Sequence, residues 1–321
     1  MNINLIIIVL GEPNSTFSEI LFKYFSSKNY NKINKRIVLV GNKNLLIKQM
    51  KKLKYRLVFN EIFELKNAKR KLINIINVNY KFKKTFTNIS MSSNNYIKKC
   101  FDLSLKVIKN NKSVGFINGP VSKKHFLKKK YPGITEYISK KTYSNKQVML
   151  IYNKKLSVSP ITTHIPLKKV AKNITKEKII SNVIQINKFY MKVLRKKPNI
   201  AILGLNPHCE TIDMKSEEKQ KILPAINFLK KIKIKIEGPY SADTFFLKEN
   251  LRNYDVVVGM YHDQVLTPIK TLFKFNAINI TLGLPFIRVS PDHGPNFKML
   301  GKNISDPSSI FYAMDFFEKI R

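Results

Sequence analysis

The chain has 321 residues, and 59 Lys plus Arg against 20 Asp plus Glu give it a formal charge of +39 at pH 7. Its 44% hydrophobic and 11% aromatic residues can build real cores, which excludes a disordered basic tail or a histone-like arm. The only cysteines, Cys100 and Cys209, exclude a disulfide scaffold and a cysteine-rich zinc module, and fit a reducing, cytoplasmic compartment.

The first apolar run, residues 5–10, ends in Gly-Glu-Pro and reads as a buried first strand. It lacks the basic flank and cleavage site of a signal peptide, and no apolar run reaches the roughly 18 residues of a membrane span. Further strands are predicted at residues 36–40, 114–118, 148–152, 200–203, 255–260 and 277–280, several of them continuous β-branched runs. Amphipathic helices are predicted over 95–109, 176–194, 217–230 and 308–320; in the second, Ile179, Ile180, Val183, Ile184 and Ile186 mark the apolar side. Residues 42–95, rich in Lys and Asn, have the weakest pattern and could hold short strands, loops or both. The alternation of strands and helices predicts an α/β protein.

The charge admits two readings. A nucleic-acid or polyanion binder should cluster Arg with aromatic residues on one face. Here Arg occurs only at Arg36, Arg56, Arg70, Arg195, Arg252, Arg288 and Arg321, while Lys is spread over the whole chain. With abundant Asn and Ile, 11 Gly and no Trp, the skew is that of an AT-rich coding sequence, which favours compositional drift over nucleic-acid binding.

The chemistry gathers where strands end. His164 (in Thr162-Thr163-His164-Ile165-Pro166), His208 (in Gly204-Leu205-Asn206-Pro207-His208) and His262 (in Gly259-Met260-Tyr261-His262-Asp263) each follow an apolar run. Ligands of open α/β sheets bind beyond the carboxyl ends of strands, so these imidazoles could converge on a divalent metal, with Asp263 orienting or completing the set. The alternative is that each histidine caps its own turn. A second group is Lys270, Asn279 and Arg288, in a segment followed by Pro291-Asp292-His293-Gly294. Arg can grip a phosphate or carboxylate by two parallel hydrogen bonds, Lys adds a point charge, and Asn binds without charge. The alternative for Arg288 is a surface cation beside a loop. The turn Gly119-Pro120-Val121-Ser122-Lys123 could offer amides, Ser122 or Lys123 to an anion, but such turns are common.

In order, the set Gly11-Glu12-Pro13, Gly119-Pro120-Val121-Ser122-Lys123, Thr135-Glu136, Thr162-Thr163-His164-Ile165-Pro166-Leu167, GLNPH ending at His208, Ala242-Asp243-Thr244, YHDQ from Tyr261, and NITLGLPFIR ending at Arg288 resembles the 4-hydroxythreonine-4-phosphate dehydrogenase family of vitamin B6 biosynthesis. The resemblance runs from about residue 5 to the C-terminus and is densest after residue 199. It implies a two-domain α/β architecture like that of isocitrate and isopropylmalate dehydrogenases, with an interdomain cleft. Residues 1–120 with 285–321 would form a discontinuous first domain, and residues 121–284 a second carrying most metal and substrate residues. It also implies a homodimer with the active site at the interface, and neither nucleic acid nor membrane as partner.

By that resemblance His164, His208 and His262 fall on the family's metal-ligand positions, contributed across the dimer, for zinc, magnesium or cobalt. Thr135, Lys270, Asn279 and Arg288 fall on substrate positions. The implied cofactor is NAD or NADP, bound without a Rossmann glycine fingerprint. The implied reaction oxidises the carbon-3 hydroxyl of 4-phosphooxy-L-threonine to 2-amino-3-oxo-4-phosphooxybutanoate, which loses carbon dioxide to give 3-amino-2-oxopropyl phosphate. Asp243 and Asp263 are candidates for the catalytic base. The chain departs from the family pattern at Ile134, which replaces a histidine before Thr-Glu, and at 14–19 and 209–218, which replace glycine-rich loops. Another phosphorylated hydroxy acid, phospho-threonate or phospho-erythronate, is the alternative substrate class.

Overall fold

Five consecutive apolar residues, Leu5–Val9, form strand β1, and each is at most 2% exposed. A strand covered on both faces needs no polar alternation, which is why this run is continuous. The computed structural model of the chain describes residues 4–109, 114–128, 130–209, 212–274, 276–291 and 296–320. Positions 292–294 of the segment after Pro291, and 210–211 of the loop after His208, lie outside them.

After β1 the strands are β2 (Arg36–Gly41), β3 (Phe59–Glu61), β4 (Ile73–Asn77), β5 (Val114–Asn118), β6 (Val148–Tyr152), β7 (Ser157–Thr162), β8 (Ile200–Leu203), β9 (Ile236–Tyr240), β10 (Val256–Tyr261), β11 (Ile278–Leu282) and β12 (Ile287–Ser290). The α-helices of two turns or more are α1 (Phe17–Phe25), α2 (Lys43–Lys52), α3 (Asn94–Lys109), α4 (Ile134–Lys141), α5 (Lys176–Phe189), α6 (Leu223–Lys231), α7 (His262–Phe273) and α8 (Ser308–Lys319). None of the described helices is long and apolar enough to cross a membrane.

The chain divides into two compact units, Met1–Ser144 with Leu284–Arg321, and Asn145–Gly283. In the first, the strand order β3-β4-β2-β1-β5-β12 is parallel throughout. Ile97, Cys100 and Phe101 of α3 pack with Phe116 of β5 and with Tyr137 and Ile138 of α4. Residues 121–144 therefore cluster with the first unit and not, as the sequence division at residue 120 has it, with the second; burial of α4 on that core is the reason. Two strand exits interlock at Gly11, whose φ of 70° is open to glycine and where a Cβ would lie 2.5 Å from Pro120 O. Glu12 N donates to Pro120 O and Gly119 N to Val9 O, so the two glycine-proline turns are one structure.

The second unit is mixed. Its order is β11-β6-β7-β10-β8-β9; β7, β10, β8 and β9 run parallel, whereas β6 is antiparallel to both β7 and β11. Leu156, Val158, Ala201, Leu203, Val257, Val265 and Ile269 form its core. Two helices expected as continuous are not. Helix α5 passes at Tyr190 into a π turn, Tyr190–Leu194, and α6 is preceded by another, Glu218–Ile222. Such turns recur near functional sites.

Candidate functional site

The three histidines leave three neighbouring parallel strands at one end of the second unit. Thr162 of β7 is in register with Tyr261 of β10, and Val258 of β10 with Ile202 of β8. His164 stands two residues past β7, His262 opens α7 directly after β10, and His208 lies in a 3-10 turn, Pro207–Cys209, beyond β8. The rings of His164 and His262 are neighbours, with centroids 6.0 Å apart and planes inclined by 38°. His262 Nδ1 is 2.8 Å from Asp263 Oδ1. That contact favours a proton on Nδ1 and leaves Nε2 as the lone-pair donor.

His208 is held differently. Its side chain is 83% exposed, and Nδ1 is 3.9 Å from Asp243 Oδ2, beyond direct hydrogen-bond reach. His208 and Cys209 have φ of 55° and 57°, left-handed for non-glycine residues. Asp243 accepts from Ser241 Oγ at 2.5 Å, and this bond, helped by His208, holds its carboxyl below the usual carboxylate range. Cys209, half-buried against Gly204, has its thiol pushed up by burial and serves as packing. Among the described residues of one chain, no three His, Cys, Asp or Glu side chains close on a common point that could hold a metal. The pair His164 and His262, with Asp263 behind one ring, nevertheless has the donor chemistry for a divalent ion, and a third ligand would complete it.

The anion-binding candidates divide between the units. In the first, Arg288 of β12 is 1% exposed. Its Nε donates to Asn118 Oδ1 at 2.8 Å and its Nη1 to Thr135 Oγ1 at 2.9 Å. Burial pulls the guanidinium down to about 10 while Glu136 opposes the shift, so it stays charged at neutral pH. Arg288 is thus no surface cation: its aim is fixed before any ligand arrives. Ile134 packs on the apolar cluster of this unit and offers no polar group. In the second unit Lys270 is exposed in the last turn of α7, and Asn279 is half-buried on β11 between Ile278 and Ile280. Ser122, proposed for an anion, instead accepts from His125 N at 3.1 Å and closes its own turn. Lys123 is exposed. Asn118 was not singled out in the sequence; a polar residue closing the buried run of β5 was the available signal.

Comparisons with known proteins give the family. The family model described as pyridoxal phosphate biosynthetic protein PdxA matches residues 33–317. A 4-hydroxythreonine-4-phosphate dehydrogenase of Sulfurihydrogenibium is 40% identical over 318 residues, covering 96% of this chain and 95% of that protein. The crystal structure of a 4-hydroxythreonine-4-phosphate dehydrogenase from Klebsiella pneumoniae superposes with a TM-score of 0.85 at 26% identity over 98% of each chain. An isocitrate dehydrogenase from Methylococcus capsulatus, at 10% identity and a TM-score of 0.50 over 98% of this chain and 84% of that one, shares the fold alone. With most of its length matched by one family model and a relative aligned nearly end to end, this chain belongs to the pyridoxal phosphate biosynthetic protein PdxA family.

Proposed function

We propose that the chain is a metal-dependent dehydrogenase of 4-phosphooxy-L-threonine that uses NAD or NADP, works in pyridoxal phosphate biosynthesis and acts as a homodimer. The observation that carries this reading is the neighbouring pair His164 and His262, backed by Asp263, at the carboxyl ends of adjacent parallel strands. His164, His262 and His208 would hold the ion, with ligands contributed across the dimer, so a single chain need not close the set. When bound, a divalent ion supplies Lewis acidity to the carbon-3 hydroxyl and then to the ketone, and the nicotinamide accepts the hydride.

The protein's own groups position the substrate and manage its protons. Arg288, oriented by Asn118 and Thr135, would attract an anionic group of the substrate with its buried positive charge. Lys270 and Asn279 would hold an anionic group of the substrate and so orient the carbon that reacts. Asp263 keeps the His262 ring in one tautomer. The carbon-3 hydroxyl proton passes to Asp243 or Asp263, the carboxylates nearest the histidines. Once carbon 3 is a ketone, the β-keto acid would lose carbon dioxide by breaking its bond to carbon 2, and the carbanion left there would take up a proton to give 3-amino-2-oxopropyl phosphate.

Steady-state reduction of NAD and NADP by the purified protein tests this reading. Turnover of 4-phosphooxy-L-threonine that stops with chelator and returns with zinc, cobalt or magnesium supports it, and no turnover in any metal-loaded sample overturns it. The apolar Ile134 beside Thr135 favours phospho-threonate as a second reading. A higher kcat/KM for that acid in the same assay would select it.

A further inference from the structure

A run of hydrogen bonds joins the three histidine-bearing strand ends, and the side chains that make it have no part in the chemistry above. Thr162, the last residue of β7 and 3% exposed, donates from Oγ1 to Met260 O of β10 at 2.7 Å. Met260 N donates to Gln264 Oε1 at 2.7 Å, and Gln264 Nε2 donates to Gly204 O, just past β8, at 2.8 Å. One amide side chain therefore clamps the strand end before His262 to the one before His208.

The β8 side is fastened again from below. Glu218, fully buried in the π turn Glu218–Ile222, accepts Leu205 N at 2.7 Å and Asn206 N at 2.8 Å on Oε1. Its Oε2 accepts Asn206 Nδ2 at 2.8 Å. A turn that only had to leave the sheet could leave those amides to water. A buried carboxylate is costly unless donors saturate it, and here it is saturated by the two residues that lead into Pro207 and the left-handed His208. Two glycines make room for the arrangement. A Cβ on Gly204 would lie 3.1 Å from Glu218 Oε1 and 2.8 Å from Cys209 Sγ, and one on Gly259 would lie 2.9 Å from Gln264 Oε1.

We propose that Glu218 and Gln264 are positioning residues that fix where His208 and His262 stand relative to His164, and so set metal affinity without touching the metal. The proposal rests on the metal reading given above. It assigns a purpose to three residues of the sequence motifs that the chemistry leaves unused: Asn206 in GLNPH, Gln264 in YHDQ, and Glu218 in the run that follows.

Cobalt(II) binding to the full-length protein, stripped of metal beforehand, separates the two ideas. Calorimetry gives the affinity and the visible absorption of bound cobalt reports its ligand geometry. Glu218→Ala and Gln264→Met are expected to weaken cobalt binding by about tenfold or more, the usual effect of losing groups that orient ligands, and to change the absorption. Glu218→Gln, which keeps one oxygen to accept Leu205 N and Asn206 N but loses the acceptor of Asn206 Nδ2, should restore much of the affinity. Wild-type affinity and absorption in folded Glu218→Ala and Gln264→Met would overturn the proposal and leave the metal reading intact. No cobalt uptake by the wild type, or wild-type uptake by His262→Ala, would overturn both. Gln264→Met changes no buried charge, so it carries the test alone if Glu218→Ala does not fold.

Discussion

Arg288 in the first unit and His208 in the second are both proposed to bind a ligand but are held in opposite ways. Arg288 is 1% exposed, wedged in an all-parallel sheet and bonded to Asn118 and Thr135. The His208 side chain is 83% exposed, and the groups that fix its loop lie beneath it. An anion-gripping Arg is pre-organised by its own burial, so its function and its contribution to the fold are inseparable. A metal-ligating His reached from solvent leaves the packing to others, so its function can be removed while the fold remains.

His208→Ala should sharpen this contrast most. NAD reduction is expected to fall to background, while stability changes by no more than about 0.5 kcal/mol, the range for exposed side chains. A large drop in melting temperature would break the comparison. Arg288→Met should lose both properties: KM rises, and stability falls by about 1–3 kcal/mol, because the bonds to buried Asn118 and half-buried Thr135 go, although Asn118 Oδ1 keeps Ser290 Oγ as a donor. Denaturant titration with steady-state kinetics measures the two together, and a stable Arg288→Met would show that the guanidinium is not part of the core.

Glu12 of the first unit gives a smaller, pH-dependent effect. It is 2% exposed, and burial raises its carboxyl above the ordinary 4.5, against hydrogen bonds from Asn14 N and Ser93. The folded chain therefore holds this proton more tightly than the unfolded chain. Stability is greatest below pH 4.5 for this group and is lost as pH rises from there through the raised value. Glu12→Gln removes that loss, so its melting temperature relative to wild type should be higher at pH 7 than at pH 4; the reverse trend would contradict the assignment. Cys100, buried with its thiol pushed up to about 12, should resist alkylation until the protein unfolds. Mass spectrometry of the native protein after iodoacetamide checks this.

The strands legible in the sequence were those with unbroken apolar runs. β5, β6 and β8 begin and end where the apolar pattern does, whereas β7, with the sequence Ser-Val-Ser-Pro-Ile-Thr, went unread. Its proline is tolerated because Ser157 N points to the β10 side, which turns the amide position of Pro160 toward β6, and β6 bridges β7 only at Val158. β3 and β4 lie in the Lys-rich and Asn-rich stretch, where Asn74 is fully buried yet reads as polar; its side chain bonds to Ile37 O, Lys69 O and Leu72 O. Antiparallel β6 could not be foreseen from its own residues, because strand direction depends on which neighbour it meets.

The site was legible as strand-end histidines, but their pairing was not, since His164 and His262 meet only because β7 and β10 are neighbours. Glu218 was hidden in the run Glu217-Glu218-Lys219, where a buried carboxylate looks like any surface charge. Many of the lysines behind the +39 charge lie exposed on both units, Lys51, Lys98 and Lys140 on one and Lys172, Lys230 and Lys270 on the other. That spread fits compositional drift over a metabolic enzyme.

The most direct measurement follows reduced cofactor and released carbon dioxide together, with metal-loaded protein and 4-phosphooxy-L-threonine. The account predicts equal amounts of the two products from the wild type and neither from His208→Ala. Metal-loaded wild type that reduces neither NAD nor NADP with any phosphorylated hydroxy acid would contradict it.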